Sequence, residues 1–97
     1  MPSYLSLVDW TDQGIRSVKE SPARLVEVKA AVTSAGGRLI FFYMLMGEHD
    51  LAILTEFPDD ETATRVLLTL GAAGDLRTTT YKAYQESEFR ALIGSLP

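Results

Sequence analysis

Residues Arg38–Phe57 read "RLIFFYMLMGEHDLAILTEF", and this stretch decides the fold. From Leu39 to Met46, eight successive residues are apolar or aromatic, preceded closely by Gly36-Gly37. Such a run is short for a buried helix, and its aromatic richness predicts a strand. "DLAILTEF", Asp50 to Phe57, predicts a second strand. The linker Gly47-Glu48-His49 has room only for an antiparallel turn, with Gly47 available for positive φ. A hairpin therefore stands at the centre of the chain.

Upstream of the hairpin, "SYLSLVDW" (Ser3 to Trp10) alternates with period two, Leu5 and Leu7 on one face and Tyr4, Ser6, Val8 and Trp10 on the other. Thr11 or Asp12 stands where a short helical turn needs a cap. "ESPARLVEVKAAVTSAGG" then predicts a helix of about fourteen residues, with Ser21 as N-cap and Pro22 at the first helical position. Leu25, Val28, Val32 and Ala35 form its apolar stripe, and Gly36-Gly37 supply the positive-φ stop.

Downstream, Asp59 caps a second helix, and Asp60 and Glu61 place negative charge at the positive end of its dipole. Ala63, Val66, Leu67 and Leu70 are its buried stripe. Gly71 and Gly74 read as its frayed end rather than as a phosphate cradle, because no strand leads into a glycine loop that opens a helix. "DLRTTTYKAY" (Asp75 to Tyr84) is β-branched and aromatic, a fourth strand. "ESEFRALIGSL" places Phe89, Leu92, Ile93 and Leu96 on one face of a terminal helix, which must dock on its own domain or on a partner.

The order β-α-β-β-α-β plus a C-terminal helix is the ferredoxin-like α+β plan, a four-stranded antiparallel sheet with two helices on one face. Residues 1–97 form a single domain, with no linker, repeat or low-complexity tract. Strand order 4-1-3-2 puts the most hydrophobic strand at an edge. Simple alternation turns Leu39, Phe41, Tyr43 and Leu45 one way and Ile40, Phe42, Met44 and Met46 the other. The helices can cover only one of these sets. Burying the other four side chains is worth roughly 6–12 kcal/mol before ordering costs, so the chain is expected to form a homo-oligomer, most simply a dimer closing sheet on sheet. The competing arrangement folds the C-terminal helix back over its own sheet.

Composition excludes several classes. Nine Lys and Arg against thirteen Asp and Glu give a net charge of −4, and the basic residues are scattered. Nucleic-acid binding needs a concentrated cationic field, so it is not expected. The absence of cysteine removes disulfides, thiolate metal sites and thiol nucleophiles. No run approaches the roughly 20 apolar residues of a membrane span, and "MPSYLSLVDW" lacks the pattern of a secretion signal. A cytoplasmic location is the expectation.

"VDWTDQGIR", "FFYMLMGEHDLAILTEFPDDE" and "LGAAGDLRTTTYKAYQESEFRAL" together resemble the GYD domain family, small bacterial and archaeal proteins named for a glycine-tyrosine-aspartate signature. The resemblance spans nearly the whole chain and implies a ferredoxin-like fold of the dimeric α/β-barrel type; it implies no mechanism. Where the family pattern is Gly-Glu-Tyr-Asp, this chain has Gly47-Glu48-His49-Asp50, so no chemistry of that phenol carries over.

His49 is the only histidine. Beside Glu48 and Asp50 it is a candidate catalytic base, or else a solvated turn residue. Three consecutive residues cannot converge on one ion, and only a two-fold axis could bring a second His49, so no metal site is expected. Asp50 can accept backbone N–H groups and hold the hairpin's register. Trp10 either walls a pocket or staples the helix entry. Arg77 with Thr78, Thr79 and Thr80 forms an anion-friendly patch or an ordinary exposed strand. Tyr43, Tyr81 and Tyr84 line a space between facing sheets, or pack an interface.

Two functions follow. The first is an oligomeric small-molecule-binding or regulatory module, with pockets between sheets for a small apolar or aromatic ligand oriented by Trp10, Tyr43, His49, Asp50 and Thr80. The second is a cofactor-independent or haem-handling enzyme of the dimeric α/β-barrel type that uses His49.

Overall fold

The four strands are β1 (Ser3–Trp10), β2 (Arg38–Met44), β3 (Leu51–Glu56) and β4 (Leu76–Ala83), and every pairing is antiparallel. The computed structural model describes residues 1–97 and orders the sheet β2-β3-β1-β4. This is the expected ferredoxin-like α+β arrangement, with β2 at an edge. The helices are α1 (Asp12–Arg16), α2 (Ser21–Ser34), α3 (Asp60–Ala72) and α4 (Glu86–Gly94), with a 3-10 turn at Val18–Glu20 ahead of α2. None is long and apolar enough to cross a membrane.

Capping explains where the helices begin. The Thr11 hydroxyl accepts from Gly14 N–H and starts α1, and the Asp59 carboxylate accepts from Thr62 N–H at 2.8 Å and starts α3. The expected cap at Ser21 is not made: Ser21 already lies inside α2, because the 3-10 turn delivers the chain in helical conformation. Its hydroxyl accepts from Arg24 instead. Gly36 ends α2 at φ +81°, as the glycine pair implied. Gly47 does not take positive φ, since the six-residue span closed by Leu45 N–H to Asp50 C=O is long enough to turn without it.

The core lies between the sheet and α2 with α3. Tyr4, Val28, Val32, Phe57 and Ala63 form one buried cluster, and Val8, Leu51 and Ile53 form a second. Phe57 and Tyr4 meet edge to face, with centroids 5.9 Å apart.

One expectation about β2 is overturned. The ladder with β3 pairs Leu39 with Thr55 and Phe41 with Leu54, so Ile40 is an extra residue in a bulge. The bulge breaks the alternation at Leu39, which joins Phe42 and Met44 on the helix side, while Phe41 and Tyr43 stay together on the other face. The strand also ends at Met44 rather than Met46.

The face away from α2 and α3 carries Leu5, Leu7, Phe41, Tyr43, Ala52, Leu54, Thr79 and Tyr81, as cross-strand register requires. The chain does not cover it. Residues 84–97, which include all of α4, are exposed, and the molecule measures 52 × 30 × 18 Å.

Candidate functional site

The loop that closes the β2–β3 hairpin is tied to the end of β1. The Asp50 carboxylate accepts Trp10 N–H at 2.9 Å, and Asp50 N–H donates to Val8 C=O at 3.0 Å. The Asp50 carboxylate thus fixes the hairpin to its neighbouring strand, not across its own turn as the sequence implies; only the Asp50 carbonyl bonds across the turn, accepting from Leu45 N–H. His49 Nδ1 lies 3.1 Å from one Asp9 carboxylate oxygen and 3.3 Å from the other. With the proton on Nδ1 it donates to that carboxylate, and Nε2 is the acceptor left for chemistry. Asp9 pairs in register with Arg77 on the open face, so Asp9, His49 and Arg77 rim that face at one end. No three His, Asp or Glu side chains are grouped to hold a metal ion.

The other anticipated residues are dispersed. Tyr43 stands on the open face, its ring tilted against Phe41 at 5.2 Å. Thr80 lies on the opposite, helix-covered face, where its hydroxyl bonds Ser6 at 2.8 Å. Trp10 also faces the helices, packed against Val8, Leu51 and Ile53. The structure therefore joins Trp10, His49 and Asp50 through the backbone at one end of the sheet, leaves Tyr43 nearby on the open face, and separates Thr80 from them.

Trp10 walls a cleft of about 250 Å³ between α2 and the sheet. Leu25, Val28, Phe42, Met44, Ile53 and Leu76 complete most of its apolar lining. Arg24 stands at this cleft, but its guanidinium is engaged: it donates to the Ser17 hydroxyl at 3.0 Å, and to Gly14 C=O and the Ser21 hydroxyl at 3.2 Å each. These bonds clamp α1 to α2. The approach of α1 to the start of β4 needs a glycine, since a Cβ on Gly14 would sit 2.0 Å from Asp75 C=O.

A polar cluster at the far end of the sheet went unnoticed in the sequence. Tyr4 donates to the Asp60 carboxylate, which also receives Lys82 at 3.2 Å. Burial, reinforced by that carboxylate, holds the Tyr4 phenol well above the usual tyrosine range. The phenol and the ammonium in turn lower the Asp60 carboxyl. No local pattern announces this cluster, because its members come from β1, α3 and β4. The partner of His49 was equally hidden, Asp9 lying forty positions away.

Comparison with known proteins identifies a family. The GYD domain model matches residues 4–93. A Thermus thermophilus protein described as a glutamine synthetase and cystathionine beta-lyase binding protein is 30% identical over 94 residues, covering 96% of this chain and 99% of that one. No solved structure matches. With the family's pattern running through all four strands, both long helices and most of α4, the chain belongs to the GYD domain family.

Proposed function

We propose that the protein is a homo-dimeric regulatory module that works by binding. Two copies stack their open sheet faces, enclosing a space lined by Phe41, Tyr43 and Tyr81, and the assembled module binds an enzyme. The observation that carries this reading is the uncovered sheet face, where Leu5, Leu7, Leu54 and those aromatics have no layer of their own chain over them. Faces of this kind are rare on monomers and mark interaction surfaces. An enzyme partner is supported by the Thermus relative, whose description names two enzymes that it binds.

The apolar cleft beneath α2 supports a second component, a small effector. With three of its N–H groups bonded within the chain and the Glu20 and Asp75 carboxylates each 3.9 Å from its guanidinium, Arg24 is already committed, and the cleft suits an uncharged apolar or aromatic molecule rather than an anion. Binding there would press on Trp10 and, through its N–H, on the Asp50 tie to the hairpin.

Native mass spectrometry tests dimer and ligand together, giving assembly mass and any retained molecule. Titration into glutamine synthetase from the same organism tests the enzyme partner. A single-copy mass at tens of micromolar would sink the assembly, and absence of a titration signal would remove glutamine synthetase as partner. The enzymatic alternative predicts that His49→Ala abolishes a reaction. The binding module predicts that this variant keeps enzyme affinity within about fivefold, a surface polar contact being worth at most about 1 kcal/mol.

A further inference from the structure

Resting on the sheet-to-sheet dimer, we infer that α4 of each copy packs on the open sheet face of the other, over the Phe41–Tyr43 edge, so that the terminal helices clasp the dimer reciprocally.

The open sheet face is one unpartnered apolar surface of the chain, and the stripe on α4 is another. Phe89, Leu92 and Ile93 are 57%, 50% and 54% exposed, although α4 is well formed. Gln85 N–H donates to the Glu88 carboxylate at 2.9 Å at its start, and Arg90 pairs with Glu86 one turn apart at 2.7 Å. A nine-residue helix is marginal in water without such supports. Its exposed stripe therefore belongs to a built element rather than to a frayed tail.

The start of α4 lies on the side where the sheet is open. The Gln85 side-chain amide reaches the Ser3 hydroxyl at 3.5 Å and the Glu56 carboxylate at 3.3 Å. Ser3 and Glu56 occupy the terminal row of the open face, in register with Ala83 and Arg38. From that corner onward every residue of α4 is exposed, with no cover from its own sheet.

Area names the occupant. A face four strands wide and about six residues long projects on the order of 400 Å². A stable association buries about 800 Å² per partner, with a lower limit near 600 Å². The sheet alone falls short. A helix of this length with its side chains covers on the order of 150 Å². The stripe each copy gives adds to the sheet area, while the stripe it receives lies on sheet area already counted, so each copy buries on the order of 550 Å², close to the lower limit of a stable dimer. The half-buried Phe41 and the exposed Tyr43 at the edge offer the matching apolar surface for Phe89.

The test uses the full chain with a photoreactive phenylalanine at position 89, mixed with isotope-labelled copies that lack the probe. Cross-links from the probe to labelled peptides of residues 38–45 or 51–56 are expected. Cross-links only within the probe-bearing copy, or a dimer with none to the sheet, overturn the clasp and leave the dimer standing. A single-copy species in sedimentation overturns both. The variant Phe89→Gln, Leu92→Gln, Ile93→Gln is expected to fold, as these side chains are exposed, and to weaken dimerisation at least about tenfold. An unchanged dimer constant would refute the clasp.

Discussion

The two faces of one sheet are built from alternate residues of the same strands, yet they differ in what covers them. On one face Tyr4, Val8, Leu51 and Ile53 are buried under α2 and α3. On the other, Leu5, Leu7, Leu54, Phe41 and Tyr43 are also apolar, and nothing of their own chain lies over them. An antiparallel sheet that is solvated on one side carries polar residues there. In its central rows this one carries only Thr79 besides apolar and aromatic residues, and its charged side chains sit in the end rows, Arg38 with Glu56 and Asp9 with Arg77. The lesson is that similar apolar residues on the two faces of one sheet are covered by the chain on one side and left uncovered on the other.

That division can be broken from either side. The largest effect is expected from Phe57→Ala on the covered face. Phe57 is 2% exposed and packs on Tyr4, and its truncation should cost about 3–5 kcal/mol in urea unfolding. The loss should be the same at every protein concentration. Leu54→Lys on the open face should do the opposite: unfolding of the dilute protein shifts by about 1 kcal/mol or less, while sedimentation moves to the single copy. If Leu54→Lys unfolds the chain, the open face is part of the core and the comparison fails.

The smallest effect concerns pH and sharpens the picture of the covered face. The folded Tyr4 phenol holds its proton above the range in which an unfolded tyrosine ionises. From about pH 10 upward the unfolded chain therefore binds fewer protons, and stability falls as pH rises. Asp60 is shifted the other way by the same contact. Below about pH 4 the unfolded chain binds more protons there, and stability falls as pH drops. Tyr4→Phe should flatten the alkaline limb and most of the Asp60 share of the acid limb in urea titrations. An unchanged alkaline limb would place the responsible group elsewhere.

The candidate site was legible only in pieces. Residue type singled out His49, Asp50 and Trp10, and they meet, because the hairpin loop and the end of β1 are neighbours in this topology. The sequence points Thr80 between sheets, but it lies on the helix side, since the parity of a Thr-rich strand shows only in the ladder with β1. Asp9 and Arg24 were missed as partners because hydrogen bonding to distant or non-periodic positions leaves no local trace.

By itself the amino-acid order determined the elements, their succession and the ferredoxin-like plan. Periodicity, caps and glycine stops are local, and a span too short to cross the sheet can only return antiparallel. It did not determine which side chains of β2 face the helices, because an unbroken apolar run carries no parity. Only the ladder with β3 revealed the bulge at Ile40 that turns Phe41 and Tyr43 outward. Nor could it say that α4 stands clear of its own sheet; that depends on the direction in which Gln85, bound to Ser3 and Glu56, launches the helix.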